Sequence, residues 1–108
     1  MTIYALSSGS GLSGIAVIRI SGINTSEVIG LLTGKALPVP RVATLRKFNK
    51  NGEKKLIDEG VILWFPAPNS YTGEDLAEFH VHGSRAVIDA MHSSISKIKN
   101  CRLAEPGE

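Results

Sequence analysis

Apolar and polar positions change period several times along this chain, and each change marks an element. Ile15-Ala16-Val17-Ile18-Arg19-Ile20 and Val61-Ile62-Leu63-Trp64-Phe65 are near-continuous apolar runs, which predict strands covered on both faces. Residues 3–6 read as a short edge strand, and residues 76–81 alternate as a strand does. Asn24 stands before Val28, Ile29, Leu31 and Leu32, with Glu27 in the capping-box position, so a helix is predicted to stop near Gly34. From Ser84 to about Lys99, the apolar positions Val87, Met91, Ile95 and Ile98 recur at helical spacing. Residues 42–48 and 56–65 predict two strands joined through the hairpin signal Asn51-Gly52, and residues 101–104 a last short strand. Pro38 and Pro40 mark an extended connection, while Pro66 and Pro68 end the strand before them because proline cannot continue a ladder. Thr72, with Asp75 three residues on, fits a helix start. The predicted order is β-β-α-β-β-β-α-β, an α/β (α+β) fold with a mixed β-sheet and two helices.

Composition bounds this picture. The chain has 108 residues, one domain's worth, for which a radius of gyration of about 13 Å is expected. That is too short for a nucleotide-hydrolysing domain plus a second catalytic domain. With 43% hydrophobic and 20% charged residues it reads as an ordinary globular protein. No apolar run approaches the roughly 18 to 20 residues that span a bilayer, and Met1 to Leu6 lack a basic start, so neither membrane insertion nor a signal peptide is expected. The single cysteine, Cys101, excludes an internal disulfide and a multi-cysteine zinc site, and fits a reducing compartment. Net charge is only +2, but Arg41, Arg46, Lys47, Lys50, Lys54 and Lys55 cluster about the predicted hairpin. This is either a solvated tip or a salt-sensitive RNA contact.

Familiar catalytic motifs fail. Gly9 and Gly14 have P-loop separation but are followed by Ile15-Ala16, and Gly30 to Lys35 has the wrong spacing and no hydroxyl after the lysine. A P-loop needs that lysine for the phosphates and that hydroxyl for Mg²⁺. No Gly-x-Ser-x-Gly elbow is present. Glu78, His80 and His82 share one face of a strand and resemble a two-histidine, one-carboxylate ligand set. Their spacing along an extended strand, about 6 to 7 Å, converges poorly on one ion, which favours a polar face beside a cleft over a metal site or a metal-dependent hydrolase.

Three stretches together carry a resemblance. They are Ile3 to Gly9 with Gly14 to Gly22, then Phe65-Pro66-Ala67-Pro68-Asn69-Ser70-Tyr71-Thr72-Gly73-Glu74-Asp75, then Glu78-Phe79-His80-Val81-His82-Gly83. In order and spacing the chain resembles the N-terminal domain of the MnmE (TrmE) family of tRNA modification GTPases. Ser84, where a second glycine is common, and Tyr4, where phenylalanine is common, are mild departures. The resemblance implies one N-terminal folate-binding and dimerisation domain over residues 1–108, similar to the folate-binding domain of aminomethyltransferase, as a fragment of a protein that continues into helical and G domains. It implies a homodimer and a bound tetrahydrofolate derivative (5-formyl- or 5,10-methylene-tetrahydrofolate). For the full-length cytoplasmic protein it implies GTP hydrolysis with Mg²⁺ and K⁺, and modification of C5 of the wobble uridine of tRNA with the flavin enzyme MnmG. The fragment by itself is expected not to be catalytic.

Under that resemblance the cofactor-binding residues are Arg19, Tyr71, Thr72, Gly73, Glu74, Glu78 and His80. A pterin presents an N–H beside an amino group, and a carboxylate accepts from both at once. Glu78 is the first choice, before Glu74 and Asp75. Tyr71 can stack on the ring. Arg19 suits the anionic glutamate tail, or equally an internal carboxylate such as Glu74 or Glu78. Tyr71 equally suits a core or dimer interface, and Thr72 with Asp75 reads first as a helix cap. Backbone N–H groups at Thr72-Gly73 would favour anions at such a helix start, and Gly73 would allow close approach of a ligand. His80 and His82 line either the pocket or the subunit interface.

Overall fold

The computed structural model describes residues 1–7, 14–50 and 53–108. Among the described residues, six strands and two helices follow the predicted order: β1 (Thr2–Leu6), β2 (Ile15–Ser21), α1 (Thr25–Thr33), β3 (Thr44–Asn49), β4 (Leu56–Phe65), β5 (Leu76–His82), α2 (Arg85–Ser96) and β6 (Cys101–Leu103). The strands form one sheet in the order β3-β4-β5-β2-β1-β6, so β1, expected at an edge, is instead paired on both sides, with β6 taking the edge beside it. Every pairing is antiparallel except that of β1 with β6, so the sheet is mixed and the fold is α+β. The radius of gyration is 12.5 Å, as the chain length requires. No helix among the described residues is long and apolar enough to cross a membrane.

Both helices cover the same face of the sheet. Val28, Ile29 and Leu32 of α1 and Met91 and Ile95 of α2 join one core with Tyr4, Ala16, Ile18, Ile20, Phe48, Ile62, Trp64, Ala77, Phe79 and Val81. These strand residues alternate along their strands, and the register stacks them: Tyr4 opposite Ile20, Ile20 opposite Ala77, Ala77 opposite Trp64. Phe48 and Phe79 pack with ring centroids 5.1 Å apart. The apolar runs in β2 and β4 therefore do not have both faces covered, contrary to expectation. Ile15 at the start of β2 is 60% exposed, and Val61, Leu63 and Phe65 are half-buried. Two helices suffice for one face, and the second face stays open.

Element ends mix expected and unexpected chemistry. Ser84 caps α2, its side chain accepting from the Val87 amide at 3.2 Å. Asn24 precedes α1 but makes no side-chain cap. Its amide donates instead to the Thr2 hydroxyl (2.7 Å), and its side-chain amide donates to Glu27 (3.3 Å), so the predicted capping box becomes a tie between α1 and β1. The helix predicted to start at Thr72 does not form. Residues 66–75 are a loop in which Asp75 accepts from the Ala67 amide (2.8 Å) and the Gly73 amide reaches Ser70 O (3.3 Å). The alternating segment that follows pairs with both β2 and β4 from Leu76 onward, which leaves no length for a helical turn. Thr72-Gly73 therefore offers no helix N-terminus to an anion. Gly60 is fixed by β5: a Cβ there would stand 2.1 Å from the His80 carbonyl oxygen. The Gly9–Gly14 pattern and the Asn51-Gly52 turn fall mostly or wholly outside the described residues; flanking that turn, Lys50 N–H donates to Lys55 O at 2.9 Å.

Candidate functional site

The open face collects the polar residues that alternate with the core. Register places Arg19 between Ala5 and Glu78, and Glu78 opposite Leu63. Ser21 and Leu76 sit opposite each other one step along, and Val17, His80 and Val61 one step the other way. Arg19 Nε donates to Glu78 Oε2 at 2.9 Å, and His80 Nε2 meets Glu78 Oε1 at 3.1 Å. The Glu78 side chain is only 16% exposed against 49% for Arg19. The carboxylate is thus sunk in the face and held on both oxygens, and its more accessible partner is the guanidinium. A pair this exposed contributes about 0 to 1 kcal/mol to stability.

The 66–75 loop closes one end of this face. Arg19 Cζ lies 6.0 Å from the centre of the Tyr71 ring, which is 91% exposed. That exposure removes the reading of Tyr71 as a core aromatic of this chain. Ser21 Oγ bonds both Thr72 Oγ1 (2.8 Å) and Glu74 Oε2 (3.0 Å), tying the loop to β2. A cavity of about 560 Å³ lies there, lined among others by Ile3, Ala5, Arg19, Ser21, Tyr71 and Glu74. A second, of about 200 Å³, shares Arg19, Tyr71 and Leu76 with it and adds Arg41, Phe65 and Glu78. The larger volume falls within the range of small-molecule sites, about 300 to 1,000 Å³.

Of the predicted binding residues, Arg19, Tyr71, Glu74, Glu78 and Thr72 line these two cavities, and His80 supports Glu78 from beside them. Gly73 lines neither. Its φ of +78° is a conformation glycine adopts freely, and it serves the loop in that way. Asp75 lines neither cavity and accepts from the Ala67 amide. His82 turns to Asp58, with Nδ1 2.9 Å from Oδ1 and its amide 2.8 Å from Oδ2. Burial pushes the Asp58 carboxyl up, but the His82 bonds and the Glu59 amide outweigh it and leave it below its ordinary value. Glu78, His80 and His82 do not converge: among the described residues no group of three His, Cys, Asp or Glu is placed to hold a metal ion.

Sequence reasoning missed Ser21, Arg41 and Glu108. Ser21 read as a strand breaker and Arg41 as part of the basic cluster about the hairpin. Glu108 lines the larger cavity and accepts two bonds from the Arg102 guanidinium (2.7 and 2.6 Å), which hold its carboxyl down to about 2. For Ser21 the available signal was strand period: it is two residues from Arg19, hence on the same face.

Comparison with known proteins places the chain. The family model described as GTP-binding protein TrmE N-terminus matches residues 2–108. The chain is 72% identical over 108 residues to the tRNA modification GTPase MnmE of Pelagibacter ubique, covering 100% of this chain and 24% of that protein. It is 52% identical to the tRNA modification GTPase MnmE of Brucella canis, covering 99% of this chain and 24% of that protein. Against the mitochondrial 5-taurinomethyluridine-[tRNA] synthase subunit GTPB3 of Danio rerio it is 48% identical, covering 99% of this chain and 21% of that protein. The chain thus spans about a quarter of the length of these relatives or less. With a match over all but its first residue, the chain belongs to the TrmE N-terminal family, the N-terminal domain of the MnmE tRNA modification GTPases.

Proposed function

We propose that residues 1–108 are a folate-binding and homodimerisation domain, and that the ligand is a tetrahydrofolate derivative carrying the one-carbon unit (5-formyl- or 5,10-methylene-tetrahydrofolate). In the whole protein this domain works beside helical and G domains that hydrolyse GTP with Mg²⁺ and K⁺. Together with the flavin enzyme MnmG, that protein modifies C5 of the wobble uridine of tRNA in the cytoplasm. The observation that carries the reading is Glu78: a mostly buried carboxylate, fixed by Arg19 and His80, at the floor of a cavity walled by an exposed aromatic ring.

The residues present fit a reduced folate. Glu78 keeps accepting capacity for the ring's N–H and amino group, since a carboxylate has about four lone-pair sites and two are used. Arg19 holds that carboxylate in place. Tyr71 supplies a flat face for stacking, and Ser21, Thr72 and Glu74 offer hydroxyl and carboxylate groups along the larger cavity. The folate supplies the one-carbon unit; this chain's residues bind, orient and shield it. Calorimetry with 5-formyltetrahydrofolate tests the reading. Binding that falls about tenfold or more in Arg19→Ala and in Glu78→Ala is expected, as loss of a charged hydrogen-bond partner costs about 1.5 to 3 kcal/mol. A folded protein that binds no folate, or binds it equally well in both variants, would sink the assignment.

A second reading takes the domain as a dimerisation and docking module for MnmG or tRNA, with folate dispensable. Apolar side chains on the open face favour it: Ile15 is 60% and Leu45 62% exposed there. A dimer in sedimentation that ignores folate would select this reading.

A further inference from the structure

Arg41 lies outside the strands and helices, in the turn before β3, yet its side chain reaches the smaller cavity with Arg19, Phe65, Tyr71 and Glu78. Its φ is +65°, a left-handed conformation uncommon for any residue but glycine, asparagine or aspartate. Its amide donates to Trp64 O at 2.9 Å, its guanidinium lies 5.4 Å from the centre of the Phe65 ring, and Nη2 donates to Asn69 O. The fork is therefore fixed by an aromatic face and a carbonyl. Among the described residues no carboxylate lies within ion-pair distance of Arg41, and Asn69 O is the acceptor its guanidinium reaches. A guanidinium carries five N–H donors, so most of this one's remain free. The same cavity, of about 200 Å³, thus joins unused donors on Arg41 to unused accepting capacity on Glu78.

We propose that Arg41 is a specificity-determining residue of this site: it donates to a ring carbonyl of the ligand while Glu78 accepts from the neighbouring ring N–H and amino group. The ligand class is a flat heterocycle in which an amino group and a carbonyl flank one N–H. A reduced pterin is such a ring, and the proposal rests on the folate reading above. An arginine suits the role better than a lysine, because its planar fork holds fixed directions once stacked. A ring bearing an amino group in place of the carbonyl would set donor against donor, and a site built to bond one group discriminates strongly against a ligand lacking it.

The test compares 5-formyltetrahydrofolate with its 4-amino counterpart by calorimetry on the 108-residue chain, in the wild type, Arg41→Met and Arg41→Lys. The wild type is expected to prefer the 4-oxo compound. That preference should fall about tenfold or more in Arg41→Met, the worth of one hydrogen bond to a charged group, and less in Arg41→Lys. The ratio of the two affinities is the readout, because a loop loosened by loss of the Asn69 bond weakens both compounds alike and leaves their ratio unchanged. If the wild type binds neither compound, the proposal falls together with the folate reading. If both bind and the ratio survives in Arg41→Met, the folate reading stands and Arg41 has no part in specificity. Should Arg41→Met fail to fold by circular dichroism, a ratio unchanged in Arg41→Lys overturns the proposal equally.

Discussion

On β5 the buried Ala77, Phe79 and Val81 pack under the helices, while Glu78 and His80, each one residue away, bond each other on the open face. β2 repeats the contrast: Ile18 and Ile20 are fully buried, and Arg19 between them is half exposed. The two faces are made from alternate residues of the same strands and differ in what holds them. The covered face is apolar and interdigitated, so its value lies in area removed from water. The open face is held by hydrogen bonds between groups that water also reaches, so its value lies in the chemistry it presents. A fold of this kind can change its site without changing its core.

Mutations should separate the two faces. The largest effect belongs to the core: Phe79→Ala removes a fully buried ring packed on Phe48 and is expected to cost about 3 to 5 kcal/mol in urea unfolding. A loss below about 1 kcal/mol would mean that the covered face does not carry the fold. Next comes the same strand's other side. Glu78→Ala and Arg19→Ala, which should weaken folate binding, are expected to change stability by about 1 kcal/mol or less. A core-sized loss from either would erase the division between a stabilising face and a working one.

The smallest effect concerns pH and returns to the covered side. His92 on α2 packs edge-on against Tyr4, with ring centroids 5.3 Å apart, and its buried Nε2 has no hydrogen-bond partner among the described residues. Burial pushes its imidazole below the ordinary 6.5, with Asp89 offsetting part of the shift. The folded value is thus lower than the unfolded one, so the protonated form favours the unfolded chain. This contribution to stability is complete above the unfolded value and is lost progressively as pH falls below it. His92→Phe should flatten the fall of the urea midpoint between about pH 7.5 and 5. An equally steep fall in the variant would assign it to other groups, with Asp58 contributing only lower, in the carboxylate range.

Much of the molecule was legible in the order of residues. Period gave all eight elements, because Ile18 and Ile20, or Met91 and Ile95, announce their faces locally. Thr72–Asp75 misled because cap spacing is shared by helices and turns, and the strand pairing that begins at Leu76 decided against the helix. Arg19 stood out as a charge in an apolar strand, and Glu78 with His80 and His82 as a polar strand face. The pairing of Arg19 with Glu78 across 59 residues of sequence was one of the partnerships the sequence left open for Arg19, and the structure selects Glu78 over Glu74; that Arg41 joins them was not legible.

The sequence by itself determined the succession of strands and helices, the alternation within each strand and the family to which those motifs point. Only the tertiary structure decided which face the helices cover, which register brings Arg19 beside Glu78, and which loop carries Tyr71 over them. The reason is range: side-chain period is a property of neighbours along the chain, whereas coverage and register are settled by burying the most apolar area among segments far apart.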